Sequence, residues 1–236
     1  LDKQLEGISA TNIRDSMVKQ VFTGGNFSSG TRVIQFLLRQ THNVYNNTHQ
    51  SEWDDIDYEP GFRERPTLVQ RILSGENPEF PGLPIDEPFS LKNPGFMLII
   101  PYLKEKFPRS KFILVVRNGL DQILCNNRCM AERVSKFFGL DSGDYHREPD
   151  YLEREMKLWN ETYKKAIKDK PDLIVRLEDL VYKKDETVQK IVDLLGIPYP
   201  DTSMIKKPES MGRYQNNWTV ALGQDATKSA EVIKHD

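Results

Sequence analysis

The sequence predicts a single α/β domain built in three layers, with a central parallel β-sheet and helices on both of its sides. Its length of 236 residues, of which 38% are hydrophobic, suits one domain with its own core. Strand-like and helix-like segments alternate along the chain. Residues 111–116, Lys-Phe-Ile-Leu-Val-Val, are almost entirely apolar, which is typical of a strand buried on both faces.

The predicted elements follow one another as strand and helix units. An apolar run at 18–23 predicts the first strand, and the amphipathic pattern of 33–39 predicts the first helix. Apolar residues at three-residue steps predict a helix over 96–107. Helices are also expected at 119–138, 151–168 and 186–195, and a strand at 172–176. The last helix is expected to end at Gly196, which suits a left-handed C-cap, with Pro198 beyond it.

A long segment, residues 43–88, interrupts this alternation. It is polar, dotted with aromatic residues and rich in proline and glycine, so we expect an irregular insertion. Long ordered loops often cover substrates, and this one is expected to cover an acceptor. Residues 1–236 are expected to form one domain, with a C-terminal tail at 223–236.

Charge and cysteine content exclude several classes of protein. Lys and Arg number 33 against 35 Asp and Glu, a formal net charge of -2, so binding of nucleic acid is not expected. No apolar run approaches the roughly 18 residues that span a bilayer, and we expect no membrane contact by this segment. The two cysteines, Cys125 and Cys129, are expected to be free thiols, which favours a cytoplasmic location. A Golgi lumen is the alternative if an N-terminal anchor was removed.

The glycine-rich stretch at 24–32, Gly-Gly-Asn-Phe-Ser-Ser-Gly-Thr-Arg, carries the main functional signal. It lies between the first predicted strand and helix, where backbone N–H groups and the positive end of the helix dipole converge on an anion. Gly25 and Gly30 have the spacing of a nucleoside-triphosphate loop, but Thr31 and Arg32 replace its lysine and its Mg²⁺-binding hydroxyl. The stretch predicts a phosphate or sulfate site without a metal. An ordinary surface turn and a small-molecule kinase are the less favoured alternatives.

Several short motifs, in the same order over roughly residues 21–218, resemble those of the sulfotransferases that use 3′-phosphoadenosine 5′-phosphosulfate (PAPS). They are Ser29-Gly30-Thr31-Arg32, Leu91-Lys92-Asn93-Pro94, residues 107–121, residues 175–180, Leu194-Leu195-Gly196 and residues 210–214. They are most similar to tyrosylprotein sulfotransferases and to bacterial members with a K-x-P segment. The resemblance implies a three-layer P-loop fold and sulfuryl transfer to a hydroxyl or amine of a small-molecule, glycan or peptide acceptor. It also implies release of 3′-phosphoadenosine 5′-phosphate (PAP) and no metal, since fixed cations suffice for a sulfuryl group.

The resemblance also implies which residues bind the donor. The 5′-phosphosulfate would be bound by Ser28, Ser29, Gly30, Thr31 and Arg32. The 3′-phosphate would be bound by Arg117, Cys125, Ser210 and Arg213. Ser28 replaces a family lysine or arginine that steadies the bridging oxygen, and Cys125 replaces a serine. A non-catalytic nucleotide-binding module is therefore an open alternative.

Two residues are implied to act in catalysis. Lys92, in the K-x-P segment, would be the main electrostatic stabiliser of the transferring group; a solvated lysine before a turn is the alternative. Because no histidine follows Lys92, the general base is sought in the acidic run of the insertion, and Glu52 is chosen. His49 and Asp54 are reserves, and Glu87 is a further outsider.

Other motif residues are expected to be structural or to select the acceptor. Glu178 and Asp179 are expected to cap or brace the helix that follows them. Acceptor specificity is expected to lie in the 43–88 insertion and in residues 139–149, whose aromatic side chains would either stack on a ring or pack the loop itself.

Overall fold

The computed structural model describes residues 17–26, 29–45, 68–78, 86–123, 151–209 and 211–212. This part of the chain forms a five-stranded parallel sheet in the spatial order β2-β3-β1-β4-β5. The strands are β1 Gln20–Gly24, β2 Asn43–Tyr45, β3 Phe89–Lys92, β4 Lys111–Val116 and β5 Leu173–Arg176.

Helices connect and cover these strands. They are α1 Thr31–Leu38, α2 Leu68–Leu73, α3 Ile100–Lys106, α4 Gly119–Ile123, α5 Tyr151–Lys168, α6 Leu177–Tyr182 and α7 Lys184–Leu195, with a 3₁₀ segment at Pro94–Leu98. Within the described ranges, every helix is too short or too polar to cross a lipid bilayer.

The two faces of the sheet pack against different helices, because side chains alternate along each strand. One face carries Phe22 and Phe112, which form a core cluster with residues of the 3₁₀ segment, α3 and α5. The other face carries Val21, Val115 and Val175, which pack against α1, α6 and α7. This arrangement confirms the predicted three-layer α/β fold.

The connections change direction at β1. From β1 the chain runs to β2 and β3 on one side of the sheet, then crosses to β4 and β5 on the other side. In open parallel sheets, ligands bind at the carboxyl ends of the strands beside such a reversal. The carboxyl ends of β3, β1 and β4 are therefore the place to look for a site.

Most predicted elements lie where the sequence placed them. The bounds of β4 and α5 match the prediction, and α7 ends at Gly196, which adopts φ 64° and ψ 33°. The single helix predicted over 96–107 is instead a 3₁₀ segment and α3, separated at Ile99, whose φ of -125° is not helical. The prediction for 119–138 can be followed only to Ile123, because the rest lies outside the described residues, as does the predicted tail.

Four short elements were not predicted, among them the four-residue strand β3. The strand β2 has three residues and begins inside the segment expected to be irregular, which also contains α2. Helix α6 follows β5 without any connecting residue, so its apolar pattern merges with that of the strand. Elements this short bury too few side chains to show a periodic pattern.

A buried histidine joins three parts of the fold. His42 lies between α1 and β2, and its Nε2 donates to the Val18 carbonyl at 2.8 Å. Its Nδ1 lies 2.9 Å from Thr41 Oγ1. Burial lowers the pKa of the His42 imidazole below its ordinary value of 6.5, although the bond to Val18 partly offsets this.

We expect His42 to make the fold less stable in mild acid. Its pKa is lower in the folded state, so the unfolded state binds more protons and the free energy of unfolding falls as pH drops below about 6.5. Each unit of pKa difference contributes about 1.4 kcal/mol. His42→Gln keeps a donor for Val18 but does not titrate, so urea denaturation at about pH 7.5 and pH 5.5 should show a smaller loss of stability in the variant. An equal loss in both proteins would contradict this role.

Candidate active site

Three strand ends carry the predicted site residues side by side. Lys92 ends β3 and pairs with Thr23 of β1, while Gly24 at the end of β1 pairs with Leu114 of β4. Arg117 follows β4 directly. Because neighbouring strands lie about 4.8 Å apart, Lys92 and Arg117 flank the loop that leaves β1.

The loop starts so close to its neighbours that two positions require glycine. A Cβ atom on Gly24 would lie 2.7 Å from Met97 N, and one on Gly25 would lie 2.3 Å from the carbonyl oxygen of Val115. Gly25 also has a φ of +153°, and its N–H donates to the Pro94 carbonyl at 3.3 Å. The loop therefore crosses directly over the end of β4.

Some amide groups of the loop form hydrogen bonds within the loop, and others lie in the first turn of α1. Ser29 N donates to the Asn26 carbonyl at 3.0 Å, so this predicted anion donor is used within the loop. Gly30 is the N-cap of α1, with a φ of 100° and no side-chain cap. The N–H groups of Thr31 and Arg32 lie in the first helical turn, where no intrahelical acceptor exists. The predicted anion site therefore depends mainly on these first-turn amides and on the helix dipole.

The hydroxyl groups of the loop differ in their surroundings. Ser29 Oγ is fully buried beside the Tyr163 hydroxyl and makes no well-formed hydrogen bond. Thr31 is buried at the start of α1, and Arg32 is exposed. An unsatisfied buried hydroxyl is unusual, and it indicates a site that lacks a partner.

Lys92 lies on the face of the sheet that α1 covers. Its register partner Thr23 is on the same face as Val21, which packs against α1. The Lys92 residue is 8% exposed, an unusual degree of burial for a lysine. The turn after it is fixed, because Asn93 N donates to the Thr23 carbonyl at 3.1 Å and Asn93 Oδ1 accepts from Gly95 N at 2.8 Å. Lys92 is therefore held beside the start of α1.

Arg117 is 2% exposed, and the turn that carries it is fixed on both sides. Before it, β4 pairs with β1 and β5. After it, Asn118 N donates to Glu178 Oε1 at 2.8 Å, and Asn118 Oδ1 accepts from Leu120 N and Asp121 N to cap α4. Glu178 was predicted to cap or brace the helix that follows it, but its carboxylate braces the Arg117 turn instead.

A carboxylate on α4 accepts a hydrogen bond from a residue far along the chain. Asp121 Oδ2 accepts from Gly212 N at 2.8 Å, and Asp121 is 2% exposed. Gly212 lies between Ser210 and Arg213, both of which were predicted to bind the 3′-phosphate and both of which lie outside the described residues. Asp121 thus holds Gly212 close to the Arg117 turn.

Several predicted site residues cannot be placed. Ser28, Glu52 and Cys125, and the reserve bases His49 and Asp54, lie outside the described residues. Glu87 is placed at the amino end of β3, opposite Lys92, where its Oε2 accepts from Asn43 Nδ2 at 3.0 Å. This position argues against Glu87 as a base for a reaction beside Lys92. In the ranges that the structure covers, no three His, Cys, Asp or Glu side chains gather as metal ligands would.

Helix α5 contributes contacts that the sequence did not predict. The Tyr163 hydroxyl accepts from Asn26 N at 3.2 Å and donates to the Val115 carbonyl at 3.1 Å. Asn26 Nδ2 donates to Thr162 Oγ1 at 3.3 Å. Burial, with the nearby charge of Glu178, raises the pKa of Tyr163 far above its ordinary value, so this hydroxyl stays protonated. Along the sequence, these positions show only the amphipathic pattern of a core-facing helix.

Comparison with known proteins now identifies the family. The sequence profile described as "Sulfotransferase family" matches residues 42–201, which is more than half of the chain. The chain belongs to the sulfotransferase family. The matched range contains Lys92 and Arg117 and begins after the glycine-rich loop.

Comparison with individual proteins also shows similarity. Protein-tyrosine sulfotransferase A from Caenorhabditis elegans is 26% identical over 174 residues, which cover 71% of this chain and 40% of that protein. The chain thus spans about two fifths of the length of this relative. The crystal structure of sulfotransferase STF9 from Mycobacterium avium is 13% identical, with a TM-score of 0.44 over 92% of this chain and 71% of that one.

We expect Gly25→Ala to weaken PAP binding by roughly tenfold or more. The new Cβ would meet the Val115 carbonyl oxygen, a backbone atom that cannot rotate away, so the loop must shift. Gly75→Ala is the matched control, since Gly75 also has a positive φ, +92°, but open space around its Cβ position. Isothermal titration with PAP measures both variants, and equal affinities would contradict the close approach described above.

Proposed function

We propose that this protein transfers a sulfuryl group from PAPS to a hydroxyl group. The observation that carries the proposal is the placement of the loop and Arg117 at the ends of two neighbouring strands, β1 and β4, which pair in register. PAPS carries its 5′-phosphosulfate and its 3′-phosphate on one ribose. A protein that binds both groups needs two anion sites at a fixed separation on one side of a sheet.

The loop fits the 5′-phosphosulfate of the donor. The first-turn amides of α1 and the Thr31 hydroxyl supply donors, and the helix dipole supplies a positive field. Gly25 keeps the loop free of side-chain atoms where it crosses β4. Ser28 and Ser29 complete the proposed loop set, the latter with its unsatisfied buried hydroxyl.

Arg117 fits the 3′-phosphate of the donor. A guanidinium group presents planar pairs of N–H donors that match two phosphate oxygens. Its backbone is held by β4 and by the bond from Asn118 to Glu178. Cys125, Ser210 and Arg213 are proposed to complete this end, and the bond between Asp121 and Gly212 supports the placement of the last two.

Lys92 fits the transfer step. The acceptor oxygen attacks sulfur, the bond between sulfur and the bridging oxygen of the 5′-phosphate breaks, and PAP leaves with the electron pair of that bond. The acceptor proton passes to a general base, for which Glu52 remains the candidate. Lys92, buried beside the start of α1, would stabilise the negative charge of the transferring sulfuryl group in the transition state.

The acceptor proposed is a tyrosine hydroxyl in a peptide. The printed name of the C. elegans relative, a protein-tyrosine sulfotransferase, supports this choice. Glycans, small phenols and amines are the other acceptors that the sequence leaves open. In this proposal the 43–88 insertion covers the acceptor.

Transfer of radioactive sulfur tests the proposal. The purified chain is incubated with ³⁵S-labelled PAPS and either a tyrosine-containing peptide or its phenylalanine counterpart. Label on the tyrosine peptide alone is the expected result. Label on sugars or amines instead would correct the acceptor, whereas PAP binding without transfer to any acceptor would support a nucleotide-binding module and overturn the proposed reaction.

We expect Arg117→Ala to weaken PAP binding by roughly thirtyfold or more, because a charged hydrogen-bonding partner of a phosphate contributes about 2 kcal/mol or more. Arg117→Lys keeps the charge but loses the planar pair of donors, so its affinity should be intermediate. Titration with PAP measures both variants. Wild-type affinity in Arg117→Ala would contradict the assignment of the 3′-phosphate end.

We expect Lys92→Met to lower kcat by roughly a hundredfold while changing PAP affinity by less than about threefold. A cation that acts on developing charge contributes in the transition state and little in the ground state. Methionine keeps most of the side-chain volume and removes the charge. Initial rates with labelled PAPS and separate PAP titrations distinguish the two effects, and an equal loss of both would make Lys92 a binding residue instead.

A further inference from the structure

We infer that Tyr163 is a positioning residue that sets the distance between the two anion-binding ends of the site. The inference rests on the proposed function and adds a residue that none of the sequence motifs includes. One hydroxyl group contacts both ends, since it binds Asn26 N of the loop and the Val115 carbonyl of β4, two residues before Arg117.

The Tyr163 hydroxyl is buried, and it both accepts and donates a hydrogen bond. Tyr163 is 3% exposed and its ring belongs to the core cluster under β1 and β4. The hydroxyl donates its single proton to Val115 and accepts from Asn26. Because burial keeps it protonated, this arrangement does not change over the physiological pH range.

Neighbouring residues of α5 also contact the loop on one side and α4 on the other. Thr162 Oγ1 accepts from the Asn26 side chain on the loop side. Trp159 Nε1 donates to Gln122 Oε1 at 2.9 Å on the α4 side, and its ring lies 3.2 Å from the Cβ position of Gly119. One helix therefore holds both the loop and the segment that follows Arg117.

The consequence for binding is specific to ligands with two anionic ends. Removing the hydroxyl leaves the Asn26 amide and the Val115 carbonyl without their shared partner, while the phenyl ring still fills the core. The loop is then free to shift relative to β4. A ligand that binds both the loop and Arg117 loses affinity. A ligand that binds only one of them keeps most of its affinity.

Binding of whole and half ligands tests the inference with Tyr163→Phe. PAP carries both phosphates, adenosine 5′-monophosphate carries one, and adenosine 3′-monophosphate carries the other. We expect the variant to bind PAP roughly tenfold more weakly and each monophosphate within about threefold of wild type. Thermal unfolding of each protein shows that the variants are folded under the conditions used.

Tyr102→Phe is the matched control. Its hydroxyl also ties a loop to a helix, donating to the Pro78 carbonyl at 2.9 Å and lying 3.0 Å from Asn77 Oδ1, but this loop belongs to the 43–88 insertion, to which the proposal assigns no contact with PAP. PAP affinity in Tyr102→Phe should equal that of wild type. If Tyr163→Phe does not fold, Thr162→Val removes the bond to the Asn26 side chain and should weaken PAP binding by about threefold without affecting the monophosphates.

The outcomes separate this inference from the proposed function. Wild-type PAP affinity in a folded Tyr163→Phe, or in Thr162→Val where it is the variant that folds, overturns the role of α5 and leaves the proposed function intact. An equal loss for PAP and both monophosphates also overturns it, because the hydroxyl would then support each anion site by itself and not the distance between them. A wild-type protein that binds PAP no more tightly than either monophosphate overturns the proposed function itself.

Discussion

The contact between Gly25 and the carbonyl oxygen of Val115 determines the geometry of this site. Only a residue without a side chain can pass so close to the neighbouring strand. This contact brings the start of α1 to the end of β4, so that helix-terminal amides and the Arg117 guanidinium belong to one edge of the sheet. The buried polar groups around them all follow from that approach.

Hydrogen bonds between residues distant in sequence then fix the main chain at this edge of the sheet. Asn118 is held by Glu178, which follows the next strand, and Asp121 holds Gly212 near the C-terminus. Such bonds join a carboxylate to a backbone amide, so they constrain the position of the main chain at this edge. The proposed stabilisation of a leaving group would need a main chain that is fixed in this way.

The sequence predicted the layers of the fold and the place of the site, because both depend on local patterns. The apolar run of β4, the length of α5 and the cap at Gly196 are local features, and the structure confirms them. The placement of the loop and Arg117 at strand ends agrees with the rule for parallel sheets, whereas the position of Lys92 at the end of β3 was not predicted. Their roles remain predictions, as do those of the residues outside the described ranges.

The connections made by Tyr163 and Glu178 could not be predicted, because they depend on contacts between residues 48 or more positions apart. A tyrosine and a glutamate on amphipathic helices show the same local pattern whether they bind the site or only pack. The pair Glu178-Asp179 at the start of α6 illustrates this ambiguity. Its motif suggested that it braces a helix, but Glu178 accepts a hydrogen bond from the turn beyond β4.

The separation of 137 residues between Asn26 and its partner Tyr163 has a consequence for biosynthesis. The glycine-rich turn leaves the ribosome before helix α5, which carries this tyrosine, has been translated. At about 5 to 20 residues per second, this delay lasts on the order of ten seconds. During that interval the nascent turn lacks the hydroxyl that binds its Asn26 amide, so the loop gains this hydrogen bond only after α5 has emerged.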